Sequence, residues 1–182
     1  MNAASLEVLF DRCFATTCRT VLCGGAEEPL YTPATAYTPA CIAYREDFVA
    51  SALHEVAHWC IAGNARLQQV DYGYWYAPDG RSPSEQVAFE RVEARPQALE
   101  WIFAQSCGAP FRLSLDNLSG DAGPRGCLRF ADAVSQEAEA FRSGSLPPRA
   151  RRFYLALREA SRHGVPLGSM RFNSPVPASA AL

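Results

Sequence analysis

Lysine is absent from this sequence, and all 17 basic residues among its 182 are arginine. No side chain can therefore act through a primary amine, which excludes Schiff-base and lysine-ammonium catalysis. Histidine is scarce, with three copies. The seven cysteines, at positions 13, 18, 23, 41, 60, 107 and 127, are odd in number and form no C-x-x-C pair. That spacing excludes a paired disulfide framework and a cysteine-rich zinc finger, so the thiols read as reduced, mostly small core residues. No apolar run approaches the ~18 residues of a membrane span. The first five residues, MNAAS, carry no basic stretch leading into an apolar one, so no signal peptide is expected. Gly-rich phosphate loops, the dinucleotide fingerprint and the G-x-S-x-G elbow are missing too. A formal net charge of -2 provides no basic field for nucleic acid or an anionic membrane. These absences point to a soluble, cytoplasmic protein with neither nucleic acid nor membrane as a direct partner.

What is present suits one packed domain: 48% hydrophobic and 11% aromatic residues can bury a sizeable core. Apolar residues at 6, 9, 10, 13 and 14 predict a first helix over 6–14. Gly24-Gly25 and prolines 29, 33 and 39 then punctuate an irregular region, with a short strand at 41–44. A stronger helix is expected over 47–62, with Asp47 as N-cap and Gly63 as its stop. Alternation over 70–76 suits a strand, and Pro78-Asp79-Gly80 a turn. Ser82-Pro83-Ser84-Glu85 is a capping box that opens a helix toward Cys107, which Pro96 should kink or split. A strand at 111–115, a polar loop at 116–121 and helices at 125–142 and 148–162 follow. The expectation is an α+β, mostly helical single domain over 1–165, with a small antiparallel sheet packed beside the 47–62 helix and a loosely ordered tail over 166–182.

Two of the three histidines fall in one motif, His54-Glu55-Val56-Ala57-His58. On a helix, residues four apart lie one turn above each other on one face, so both imidazoles can direct a nitrogen at a single divalent ion. Glu55 is ~100° around the helix, close to that ion without pointing at it. The plainer alternative is a half-buried helix with two satisfied histidines. Two imidazoles leave an ion under-coordinated, and Glu90, Glu93, Gln97 and Glu100 follow at 3, 4, 3 spacing along one helix face. Glu93, just before Pro96, is the favoured carboxylate ligand, with Glu90 and then Glu100 behind it. The alternative is an ordinary solvated face. Two histidines and a carboxylate do not name a reaction. They fit a catalytic zinc site with Glu55 as general base, cleaving a peptide, and equally a non-heme Fe(II) centre taking O₂ and substrate.

Weaker features surround this motif. The aromatic run Tyr72-Gly73-Tyr74-Trp75-Tyr76 could wall a cleft around an extended side chain, or pack in the core. Asp116, Asn117 and Asp121 could hold a substrate ammonium, or simply form turns. Arg149, Arg151, Arg152, Arg158 and Arg162 make a basic segment suited to an acidic partner or to solvent. His163, before Gly164, reads as a helix C-terminal cation rather than a third imidazole ligand.

Residues 51–63 (SALHEVAHWCIAG) and 70–76 (VDYGYWY), with PDGR at 78–81, FE at 89–90, VE at 92–93, PQAL at 96–99, DNL at 116–118 and GD at 120–121, resemble the bacterial elongation factor P hydroxylases. The resemblance runs from about residue 6 to 157. It implies hydroxylation of a lysine side chain on elongation factor P, the protein substrate and partner, after that lysine has received a β-lysyl group. It also implies a metal-dependent oxygenation in a fold unlike the usual 2-oxoglutarate hydroxylases, with His54, His58 and Glu93 as ligands. One HE pair favours a mononuclear centre. The metal would be Fe(II), replaceable by zinc on purification, with O₂ as co-substrate. Oxidising an unactivated C–H bond exceeds what acid–base side chains can do, which agrees with a redox metal. In that scheme Glu55, Asp71, Asp116 and Asp121 would accept substrate ammonium groups, and Tyr74 and Trp75 would hold the methylene stem. A zinc metallopeptidase and a non-catalytic adaptor that keeps its metal for structure are the competing expectations.

Overall fold

The computed structural model describes residues 1–71, 81–114 and 123–173. Among them run α1 (Ala3–Phe14), β1 (Thr20–Ala26), β2 (Leu30–Thr32), β3 (Ala40–Arg45), α2 (Val49–Ile61), α3 (Pro83–Cys107), α4 (Gly123–Ser143) and α5 (Pro148–Ala160). Single 3-10 turns lie at Arg66–Gln68 and Leu167–Ser169. One core cluster draws on all of these helices and on β1 and β3. The mostly helical α+β architecture is the expected one, with the sheet packed against α2.

The sheet itself departs from expectation, being mixed rather than antiparallel. β3 is central, parallel to β1 and antiparallel to β2. Only residues 27–29 join β1 to β2, and β3 enters between them after a proline-flanked loop, which gives it the direction of β1. β1 has no clear signature in the sequence because Gly24-Gly25 weakens its strand pattern. The glycines instead build a bulge. The β1–β3 register shifts between Cys23 and Ala26, and Gly25 has φ 83°. Gly24 lies so close to Tyr44 that a Cβ would come within 2.7 Å of its hydroxyl oxygen. Helix α1, capped by the Asn2 side chain on the Ser5 N–H (2.9 Å), covers this edge strand. Its carboxylates take up the edge amides: Leu22 N–H donates to Asp11 (3.2 Å) and Gly24 N–H to Glu7 (2.7 Å).

Helix α2 begins at Val49 after Phe48, with no side-chain cap, so Asp47 does not fill the capping role expected of it. Leu53, Val56, Ala57 and Cys60 bury one face, and Trp59 packs edge-on against Phe10 and Phe14. At its far end Arg149 of α5 donates to the carbonyls of Cys60 (3.5 Å) and Ala62, and its guanidinium stacks on the Trp59 ring at 4.6 Å. Arg152 stacks on Phe14. Two members of the basic segment thus tie α5 to α1 and α2, Arg149 half-buried and Arg152 exposed.

Helix α3 opens on the expected capping box, with the Ser82 side chain receiving the Glu85 N–H and the Glu85 carboxylate receiving the Ser82 N–H. It then runs unbroken past Pro96 to Gly108 (φ 71°) instead of splitting. Proline removes the N–H that would bond the Val92 carbonyl, but Val92 lies on an exposed side of the helix, where water can serve that oxygen. Replacing Ser82 by alanine is expected to lower unfolding free energy by about 1 kcal/mol, read from the urea midpoint at constant m-value.

The chain from Pro166, expected to begin a loose tail, instead docks. Leu167 N–H donates to the Tyr154 hydroxyl (2.9 Å), Met170 is fully buried, and Phe172 meets the Trp101 ring edge-on at 5.0 Å. Residues 174–182, and most of the expected 70–76 strand, lie outside the described residues. Among the described residues, no helix is long and apolar enough to cross a membrane.

Candidate metal centre

His54, Glu55 and His58 project from α2 opposite its core-facing stripe. The one-turn spacing has the expected consequence: the imidazole centroids are 4.7 Å apart and the two Nε2 atoms 3.1 Å apart. Facing them is the 3, 4, 3 stripe of α3. It is an interior face rather than a solvated one, with Glu90 6%, Glu93 4%, Gln97 0% and Glu100 8% exposed.

Each residue of the stripe has its own partner. Glu90 accepts from Arg129 of α4 (2.9 Å) and from Gln86 (3.4 Å). Glu93 lies 3.2 Å from His58 Nε2 and 3.6 Å from His54 Nε2. Gln97 clamps the backbone of Ser114, donating to its carbonyl (2.7 Å) and accepting its N–H (3.1 Å). Glu100 Oε2 is 2.8 Å from His54 Nδ1. His58 therefore meets only Glu93, whereas His54 lies between Glu93 and Glu100, so α2 and α3 run in opposite directions. Of the three carboxylates weighed as ligands, Glu93 is the one gathered with both histidines, all three within 4.8 Å. Glu90 is turned to α4, and Glu100 stands on the other edge of the His54 ring.

The donor set fits a metal ion. Two donors each ~2.1 Å from one ion, roughly 90–110° apart around it, sit about 3.0–3.4 Å from each other. The 3.1 and 3.2 Å separations fall in that range, and the third, 3.6 Å, lies just beyond it. Glu93 Oε2 is buried with no hydrogen-bond partner, a cost that a cation relieves. Glu55, Glu93 and Glu100 also crowd two imidazoles out of bulk water, and a divalent ion supplies the counter-charge such a cluster requires. Electrostatics bind the group tightly. Burial pushes the Glu93 carboxyl up, but the histidine charges outweigh it and hold it at about 2. Burial disfavours a charged His54, yet the Glu100 hydrogen bond and the surrounding carboxylates raise it to about 10. For Glu55 and Glu100 burial dominates, and both carboxyls are pushed up.

Beside the cluster lies a narrow cleft. Tyr31, Ile42, Trp59 and Leu67 wall it, with His58, Glu55 and Asp71 among its lining groups. Glu55 makes no hydrogen bond among the described residues. Asp71 pairs with Arg66 and exchanges backbone hydrogen bonds with Tyr31 (2.7 and 3.0 Å), while the Tyr31 hydroxyl donates to the Leu67 carbonyl (3.1 Å). Tyr74, Trp75, Asp116 and Asp121, expected at the substrate, lie outside the described residues. Sequence reasoning missed Tyr31, Arg66 and Leu67, which carry no motif. It also ranked Glu100 only as a spare ligand, although its place two turns after Glu93 signals a shared face.

The elongation factor P hydroxylase family matches residues 9–169, a span holding every group of this cluster and cleft. A protein of Haemophilus influenzae named elongation factor P lysine hydroxylase is 43% identical over 150 residues, covering 82% of this chain and 83% of its own length.

Proposed function

The chain belongs to the elongation factor P hydroxylase family, and we propose that it converts a C–H bond of a lysine side chain on elongation factor P to C–OH at the His54–His58–Glu93 centre. The single observation carrying the assignment of the centre is the convergence of two Nε2 atoms and a buried, unpartnered carboxylate oxygen. His54, His58 and Glu93 would hold the metal, which the oxidation of an unactivated C–H bond requires to be redox-active, Fe(II) in this reading. When bound, such an ion supplies the O₂ chemistry that places one oxygen atom on carbon and sends the other to water, with two electrons from an external donor.

The chain's own residues do the rest. Tyr31, Trp59 and Leu67 keep water from the substrate's methylene stem, and Glu55 and Asp71 meet its positive charge. Tyr74, Trp75, Asp116 and Asp121 are assigned to the same substrate. The domain extends over 1–165 at least, and a translation factor as substrate puts the enzyme in the cytoplasm. Nothing in the family match or in the Haemophilus relative favours the peptidase or the adaptor.

The test is direct. The purified chain, loaded anaerobically with Fe(II) and then given O₂, a chemical reductant and β-lysylated elongation factor P, is expected to raise the mass of the factor by about 16 Da, one oxygen atom. No mass gain with the metal-loaded chain, or an equal gain without Fe(II), sinks the proposal.

A further inference from the structure

We propose that Glu100 is a positioning residue for the metal centre: its carboxylate takes the Nδ1–H of His54, which fixes the tautomer of that ring and leaves Nε2 to face His58 and Glu93. The inference rests on the reading of His54, His58 and Glu93 as metal ligands.

The geometry separates this role from the two alternatives. Glu100 Oε2 is 2.8 Å from Nδ1, whereas the opposite nitrogen of the same ring, Nε2, is the atom 3.1 Å from His58 Nε2 and 3.6 Å from Glu93. The two ring nitrogens point in divergent directions, so a carboxylate seated on one cannot also bind an ion held by the other. Glu100 is thus no fourth ligand. It is no surface ion pair either, because it is 8% exposed and faces only the interior of the α2–α3 packing. A neutral imidazole carries its proton on one nitrogen or the other, and a hydrogen-bonded carboxylate behind the ring decides which. It also makes the far nitrogen a stronger electron donor. Glu93 and Glu100 are seven residues apart on one helix, so α3 supplies both a ligand and the support of a ligand borne by α2. His58 meets no such carboxylate on α3, which makes the two histidines unequal.

The experiment measures Co(II) binding, by its visible absorption, to the full chain and to Glu100→Gln and Glu100→Leu. For Glu100→Leu the Kd for Co(II) is expected to rise about 10- to 100-fold. Glu100→Gln, whose amide oxygen still accepts the Nδ1–H without the charge, should fall between that variant and the parent. In the Zn(II)-loaded parent, ¹⁵N NMR should find His54 protonated at Nδ1, and in Glu100→Leu that Nδ1–H signal should broaden or shift with solvent exchange. A purely structural role would lower thermal stability and leave the Co(II) Kd unchanged. If folded Glu100→Leu binds Co(II) within about twofold of the parent, or if the parent carries its proton on Nε2, the role of Glu100 is overturned. A parent chain that binds no Co(II) at all overturns the metal reading along with it. Should Glu100→Leu fail to fold, Glu100→Met, an apolar side chain of similar length with no strong acceptor, takes its place with the same expectation.

Discussion

His58→Ala is expected to weaken metal binding on the order of 10³-fold or more, about 4 kcal/mol, and to abolish the mass gain on elongation factor P. The size follows from the geometry. His58 Nε2 is within 3.2 Å of both other donors, and its loss leaves one imidazole and one carboxylate, too few to hold an ion against water. His54→Ala and Glu93→Ala should match it, since each likewise leaves only two donors. Packing alone cannot produce this pattern. Trp59 and Leu53, not His58, make the helix's aromatic and aliphatic core contacts, so a folded His58→Ala chain is expected by circular dichroism. Metal titration and mass spectrometry on that folded chain check the prediction. Retention of either metal affinity or hydroxylation would remove His58 from the centre.

The legible and illegible parts of this protein divide along the range of the forces involved. Local rules recovered α1, the His54–His58 face of α2, the Ser82–Glu85 capping box and the one-faced stripe of α3, because each depends on helical periodicity or on groups three or four residues apart. The family motifs sharpened the choice of Glu93. What escaped were consequences of long-range packing. β1 was hidden by Gly24-Gly25, whose purpose becomes visible only once Tyr44 lies against Gly24. Asp47 is a good capping residue by type, yet the N-cap is Phe48, with extended backbone and no side-chain hydrogen bond. Pro96 would end an isolated helix, and here α2, α4 and α5 hold the two halves together. The same logic explains the acidic stripe. Its period marks a face, but no periodicity reveals that the face is covered, so Glu90, Gln97 and Glu100 could not be told from solvated residues until Arg129, Ser114 and His54 were placed against them.

Glu55→Gln tests the substrate side of the site separately from the metal side. Glu55 lines the cleft next to His58, is pushed up by burial, and makes no hydrogen bond among the described residues. Its most economical use is to meet a cation that arrives with the substrate. Removing one partner of such a buried charge pair costs about 2–5 kcal/mol, so kcat/KM for elongation factor P should fall roughly 30-fold to several thousand-fold. Metal affinity should stay within about threefold of the parent, because Glu55 lies ~100° around the helix from its neighbour His54. Most of the loss belongs in KM if the ammonium is held equally before and during oxidation, and in kcat if the contact tightens as the reacting carbon reaches the metal. Steady-state kinetics by mass spectrometry, paired with Co(II) titration of the same preparation, separates these cases. A Glu55→Gln enzyme with parental kcat/KM would remove Glu55 from substrate recognition. One that loses its metal would instead make it a ligand, contrary to the three-donor centre drawn from His54, His58 and Glu93.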